Sequence, residues 1–535
     1  MKKLFAPILV SLLSLAAAAP AAVLAQPPAG AGDDVKKKEA PAPDPKPANW
    51  TTSHSLQLGG GTVEYDAVVG SVILRDDKEK ATGELFYTAY FRTGRAAGDA
   101  NARPLIFSYN GGPGSASYWL HMGIMGPRRV RTPEVGQQAP PPYEIVDNRH
   151  TLLDVADIVM VDPIGTGFSR SVGETEGKVF WGLDEDAASL TQFIRRFLSQ
   201  YKRWNSPRYL LGESYGTTRS AVLAGHLQRS NIDLNGIVLV SAVLDFETIG
   251  FREGSVVPFI VNLPSYAITS AYLDALPGGK PKDLQAFMAE VERWSVTEYA
   301  TAVLAGSAVD PALRARVLDQ MHAYTGLDKD FLDKTHLRVS APEYEKELLR
   351  DKGLVVGRLD ARFTGPTGDL LDRTPSHDPQ STAISSAYTS AFNAYVRGEL
   401  GYDGDREYVP SGMARPWNWE RQSGGSGGFF GRGAPNVAPD LARALTRNPK
   451  LEVLLVNGLY DLATPYFAAV WSLDNLNLPP DLRDNIERAD FAAGHMMYVE
   501  ESLLDQWRET LVSFLERTSG RAGGNAGPAT AASGR

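Results

Sequence analysis

Ser206-Pro-Arg-Tyr-Leu-Leu-Gly-Glu-Ser-Tyr-Gly-Thr-Thr-Arg219 decides how this chain is read. Tyr209 to Leu211 is an apolar strand, Gly212-Glu213-Ser214-Tyr215-Gly216 is a tight Gly-x-Ser-x-Gly turn, and helix-forming sequence follows. A serine on such a strand-to-helix turn is thrust out at the end of a sheet with its hydroxyl facing a cleft. The glycines permit the bend and the close approach of neighbouring chains. The five-residue pattern alone also fits an ordinary Gly-rich turn, so its value lies in the flanking strand and helix.

A serine nucleophile needs a base and a group that orients the base, in the chain order Ser, Asp or Glu, His. Leu451 to Val456 reads as a buried strand running into Asn457-Gly-Leu-Tyr-Asp461, which puts a carboxylate just past a strand end. Further on comes Phe491-Ala-Ala-Gly-His495, and His495 is the only histidine after His377. A lone histidine is more often a packed or surface residue. In this order, Ser214, Asp461 and His495 form a candidate triad. The oxyanion of an acyl-transfer intermediate needs preorganised donors. Leu105 to Tyr109 is a further apolar strand, ending in Asn110-Gly-Gly-Pro-Gly-Ser115. The N–H groups of Gly112 and of Tyr215 are the expected donors.

Asn-Gly-Gly-Pro-Gly at 110–114, Gly-Glu-Ser-Tyr-Gly at 212–216, the Gly458-x-x-Asp461 segment and Gly494-His495, in this order, resemble the serine carboxypeptidase family. Pro163-Ile-Gly-Thr-Gly-Phe-Ser169 resembles its Pro-x-Gly-x-Gly-Phe-Ser stretch. Without the family, Gly165-Thr-Gly167 after the strand Asp157 to Val161 suggests a phosphate loop, but the full dinucleotide or Walker pattern is absent and a structural turn fits better. The resemblance spans roughly residues 52–250 and 440–515. It implies an α/β-hydrolase, with a mainly parallel central sheet flanked by helices and an inserted, mostly helical cap. It also implies removal of C-terminal residues from peptides through a Ser214 acyl-enzyme, favoured at acid pH. Asn110 and Glu213 match positions that bind the substrate's terminal carboxylate. Two facing carboxylates repel unless they share a proton. No metal and no cofactor is implied.

The chain departs from the family pattern at three places. Ser108 stands where the family often has Trp, the run Met122-Gly-Ile-Met-Gly-Pro127 lacks an acid often found there, and Ser115 replaces a cysteine. The first two thin the hydrogen-bond network expected around Glu213. They favour the alternative reading, an esterase or acyltransferase with the same triad. A catalytically silent binding protein on a hydrolase scaffold is the third reading, opposed by the intact set of site residues.

Local patterns agree with the α/β expectation. Apolar strands alternate with helix-length segments. Leu183 to Tyr201 has apolar residues at 183, 187, 190, 194, 197 and 201, an amphipathic helix. Ile237 to Val240 reads as the next strand. Residues 52–93, with a turn at Asp76 to Glu79, read as an antiparallel extension of the sheet. The expected organisation is a signal peptide (1–25), a Pro/Ala/Lys-rich linker (26–49), hydrolase core (50–246), cap (247–439), hydrolase core (440–517) and a Gly/Ala/Ser-rich tail (518–535). Lys282 to Val296 and Pro311 to Tyr324 are helical runs of the cap. Arg415-Pro-Trp-Asn-Trp-Glu420 and Phe429-Phe430 read as a substrate wall or as cap core.

Met1-Lys-Lys3, an apolar run to Val23 and Val23-Leu-Ala25 make a secretory signal cleaved after Ala25. Export and the absence of cysteine from all 535 residues fit a bacterial periplasmic or secreted enzyme without disulfides. The net charge of −9, with signs interspersed, argues against nucleic-acid partners and against a basic membrane surface. The expected partners are peptides with a free C-terminus, with no stable membrane anchor after signal cleavage. Ser376-His-Asp378 is too short a cluster for a metal and reads as a loop.

Overall fold

In the computed structural model, residues 45–94, 99–412, 414–421 and 434–520 are described. The signal peptide, most of the linker and tail, and Phe429-Phe430 lie outside them.

A ten-stranded sheet organises the chain. Across it run Asn49–Leu58, Gly61–Arg75, Ala81–Arg92, Asp157–Val161, Leu105–Tyr109, Arg208–Glu213, Gly236–Val240, Glu452–Gly458 and Ile486–Phe491, with Arg170–Ser171 attached beside Ala81–Arg92. The first three strands pair antiparallel, as expected for residues 52–93, and the third pairs antiparallel with Asp157–Val161. From Asp157–Val161 to Ile486–Phe491 every pairing is parallel. Parallel strands must be joined by crossovers, so helices cover both faces and the strands read as continuous apolar runs.

Alternation along each strand divides the core between the two faces. Phe107, Leu210 and Ile237 pack with Phe193 and Phe197 of the helix Leu183–Gln200 and with Leu223 of the helix Tyr215–Arg229. Ile106, Tyr209 and Val238 face the other way, toward Trp507, Leu511 and Phe514 of the helix Leu504–Thr518.

A third apolar core belongs to the insertion. Leu263, Tyr266, Val291, Trp294, Met321, Tyr324 and Tyr344 cluster there, and Leu459, Tyr460 and Leu462 join them from beside Asp461. Helices Leu284–Trp294 and Pro311–Thr325 match the two helical runs read from the sequence. This cluster lies largely within the expected 247–439, and two further helices at the end of that range cover the sheet. Helix Pro379–Gly398 buries Ile384, Tyr388, Phe392 and Tyr395 in the sheet's own core beside Tyr90. Helix Ala438–Arg447 likewise packs Leu441 and Leu445 on the opposite face of the sheet. Among the described residues no helix is long and apolar enough to cross a membrane.

Candidate active site

Tyr109, Glu213, Val240, Gly458 and Phe491 end parallel strands at one edge of the sheet, and the loops beyond these ends carry the candidate residues. Such a carboxyl edge is where open α/β sheets bind ligands. Ser214 follows its strand directly with φ 60° and ψ −129°, and helix Tyr215–Arg229 begins at the next residue. A non-glycine residue there is strained, and strain of this kind is held by surrounding contacts. Two of these are the Ser214 N–H donating to Val240 O at 2.9 Å and the Thr217 hydroxyl donating to Ser214 O at 2.7 Å.

The Asn110–Gly114 loop packs directly against this turn. A Cβ on Gly111 would lie 2.4 Å from the Tyr215 nitrogen, so only glycine allows the approach. Arg219, fully buried, donates from Nη1 to Asn110 O at 2.6 Å and from Nε to Asp186 Oδ2 at 2.6 Å. The helix after Ser214 therefore clamps the loop. No acceptor among the described residues takes the N–H of Gly112 or of Tyr215. Unused donors beside a nucleophile suit an oxyanion.

Asp461 is fully buried, and its carboxylate is saturated. Oδ1 accepts from the N–H groups of Ala463 and Thr464 at 2.8 and 2.9 Å. Oδ2 accepts from the Thr464 hydroxyl at 2.8 Å and meets His495 Nδ1 at 2.7 Å. An Nδ1–H tautomer donating to Asp461 leaves Nε2 with a free lone pair. The histidine loop is tied down at both ends of the residue: His495 N–H donates to Leu359 O at 2.6 Å, and the Ser241 hydroxyl donates to His495 O at 2.7 Å. Ser241 follows Val240, which anchors Ser214, so serine and histidine loops share one strand end. The Ser214 hydroxyl makes no hydrogen bond to His495 in this structure; such contacts are often long without substrate. Burial lowers the His495 pKa, but the charge and hydrogen bond of Asp461 and the charge of Glu213 outweigh it, and the net shift is upward.

Glu213 is 3 % exposed, and its Oε1 accepts from Asn110 Nδ2 at 2.8 Å. Asn110 is oriented in turn, its Oδ1 accepting from Leu120 N–H at 3.0 Å. Burial pushes the Glu213 carboxyl up to about 7, against the downward pull of the His495 charge, of the nearby Tyr498 hydroxyl and of the Asn110 amide. Glu213 Oε2 has no hydrogen-bond partner, and neither has the buried Ser108 hydroxyl.

The structure thus gathers Ser214, Asp461, His495, Gly112, Tyr215, Asn110 and Glu213 at one sheet edge. It adds residues that the sequence reading missed. Thr464 contacts both Asp461 and His495, the latter at 3.1 Å. Asp360 accepts from Gly494 N–H at 3.2 Å and pairs with Arg362, which also reaches Glu500 at 2.7 Å. No local signal marks the 358–362 loop. Tyr498, three residues after His495, could have been suspected from its place in the histidine motif. Trp417 and Trp419 pack edge-on against Tyr215, so that aromatic segment stands beside the Ser214 turn. Among the described residues no cluster of three His, Asp or Glu is arranged to hold a metal ion.

Known proteins fit this arrangement. The protein is 28 % identical over 212 residues to serine carboxypeptidase-like 45 of Arabidopsis thaliana, covering 37 % of this chain and 41 % of that protein. It is 26 % identical over 236 residues to the pheromone-processing carboxypeptidase KEX1 of Phytophthora infestans, covering 41 % of this chain and 35 % of that protein. These matches therefore span about two fifths or less of the relatives' length. The crystal structure of KEX1(delta)p, a prohormone-processing carboxypeptidase from Saccharomyces cerevisiae, superposes with a TM-score of 0.53 at 16 % identity, over 85 % of this chain and 92 % of that one. It shares the α/β-hydrolase fold. The family model for serine carboxypeptidases matches residues 70–250, about a third of the chain, and this stretch holds the Asn110–Gly114 loop, the Pro163–Ser169 stretch and the Ser214 turn.

Proposed function

We propose that this protein is a serine-type carboxypeptidase that removes C-terminal residues from peptides through an acyl-enzyme on Ser214, favoured at acid pH. The observation that carries the reading is the buried Asn110–Glu213 pair next to the nucleophile, with Glu213 held protonated up to about pH 7. A neutral carboxyl group can share its proton with a substrate carboxylate, where an ionised one would repel it.

In the proposed reaction His495 Nε2 takes the proton from Ser214 Oγ as that oxygen bonds to the scissile carbonyl carbon. The carbonyl oxygen becomes an anion facing the Gly112 and Tyr215 N–H groups. The C–N bond breaks as His495 passes its proton to the departing amine of the C-terminal residue. Water then attacks the ester carbonyl carbon, gives a proton to His495, and the acyl C–O bond breaks as that proton returns to Ser214 Oγ. Asp461 holds the Nδ1–H tautomer and stabilises the imidazolium.

Ser108 and the acid-free Met122–Pro127 run favour a second reading, an esterase or acyltransferase with the same triad. Labelling of Ser214 by a fluorophosphonate, followed by cleavage of one peptide as free acid and as C-terminal amide, separates the readings. A carboxypeptidase prefers the free acid, and equal cleavage of both would reject it. Export through the 1–25 signal belongs to the same proposal.

A further inference from the structure

The two oxygens of Glu213 have different surroundings. Oε1 is engaged by Asn110, whereas Oε2 is buried without a partner. The hydroxyl of Tyr498 is also buried and also without a partner. A buried polar atom left unpaired has lost its hydration without compensation, so two in one site mark a place built to receive another group.

These two atoms are neighbours. The Tyr498 hydroxyl comes within hydrogen-bonding reach of Glu213 and of the Asn110 side chain, but to neither is it aligned as a formed hydrogen bond. Its ring is held by fit. Gly123 lies in the π-helical turn His121–Met125, and a Cβ there would stand 2.2 Å from Tyr498 Cδ2. Only glycine lets the ring lie against this turn. Burial holds the phenol far above its ordinary pKa, so it stays a neutral donor at every working pH.

We propose that Tyr498 is a specificity-determining residue, whose hydroxyl donates to the substrate's terminal carboxylate as that group docks against Glu213 Oε2. The substrate thereby gives both orphaned atoms a partner at once. This rests on the carboxypeptidase reading above, and it adds a donor on the histidine loop to the pair Asn110 and Glu213.

Tyr498→Phe removes one oxygen and keeps the ring on Gly123. In the full-length protein, fluorophosphonate labelling at the wild-type rate reports an intact fold and triad. The expected result is a KM for a free-acid peptide raised roughly tenfold to hundredfold, the loss of one hydrogen bond to a charged group, with kcat nearly unchanged. The amide of the same peptide should be cleaved as by wild type. A second measurement needs no turnover: in a Ser214→Ala background, Tyr498→Phe should weaken equilibrium binding of an N-acyl amino acid but not of its amide. If wild type distinguishes acid from amide and the Phe variant does so equally in both measurements, the assignment of Tyr498 is overturned and the carboxypeptidase reading stands. If wild type itself does not distinguish them, both are overturned.

Discussion

Glu213→Gln tests the site through its titration. The Glu213 carboxyl is buried and its pKa is raised from 4.5 to about 7, chiefly by burial. Below that value it is neutral and able to share its proton with an ionised substrate carboxylate. Above it, two anions face each other. Half of the carboxyl is protonated at pH 7 and about a tenth at pH 8, so affinity for a free-acid peptide should drop about fivefold, or ~1 kcal/mol, over that interval and about tenfold per unit above it. Glutamine has nearly the same shape and cannot ionise. The ratio of wild-type to variant kcat/KM on a free-acid peptide should therefore fall by about fivefold across that interval. On the matched amide the high-pH ratio should stay flat. Glu213 also helps to raise the His495 pKa. Removing its charge lowers that pKa, so the acid limb of amide hydrolysis, where His495 becomes protonated, should move to lower pH in the variant. Stability gives an independent check of sign. A carboxyl with a raised folded pKa contributes stability that is fully present below 4.5 and lost as pH rises through about 7. The variant should thus unfold with wild-type stability at low pH and be more stable at pH 8, by roughly 3 kcal/mol at most. The assay is steady-state kinetics on both substrates from acid to mildly basic pH, with denaturant unfolding at the two extremes. Parallel free-acid profiles for wild type and variant would refute the role given to Glu213.

Ser214→Ala should abolish turnover and fluorophosphonate labelling while leaving the thermal midpoint nearly unchanged, since the lost hydroxyl is small and partly exposed; residual labelling would place the nucleophile elsewhere. Thr464→Val removes a donor to Asp461 and a contact to His495 at 2.8 and 3.1 Å. It should lower kcat by roughly tenfold with KM little changed, as for a residue that orients a base, and an unaltered kcat would show that Asp461 needs no such support. Arg362→Met leaves Asp360 and Glu500 buried without their partner. It should destabilise the fold by about 3–5 kcal/mol in urea unfolding, and a loss under 1 kcal/mol would mean that the network is dispensable.

The site's main members were legible because their signals are local. A strand, a Gly-x-Ser-x-Gly turn and a helix occupy fourteen consecutive residues from Ser206 to Arg219, and backbone sterics there leave few alternatives. The Asn110 loop, Asp461 and His495 each follow an apolar strand, so chain order alone could group them. The extent of the helical insertion was less legible. An amphipathic helix such as Pro379–Gly398 shows that it has an apolar stripe, but not whether a sheet or another helix covers it. By itself the sequence determined the α/β class, the Gly-x-Ser-x-Gly turn and the order of the candidate residues along the chain. Only the tertiary structure decided that Arg362 braces the His495 loop across 130 residues of chain, and that Tyr498 stands beside Glu213 with both atoms unpaired. Turns and strands are set by neighbours along the chain. Contacts between distant loops depend on how whole layers pack, and no periodicity records them.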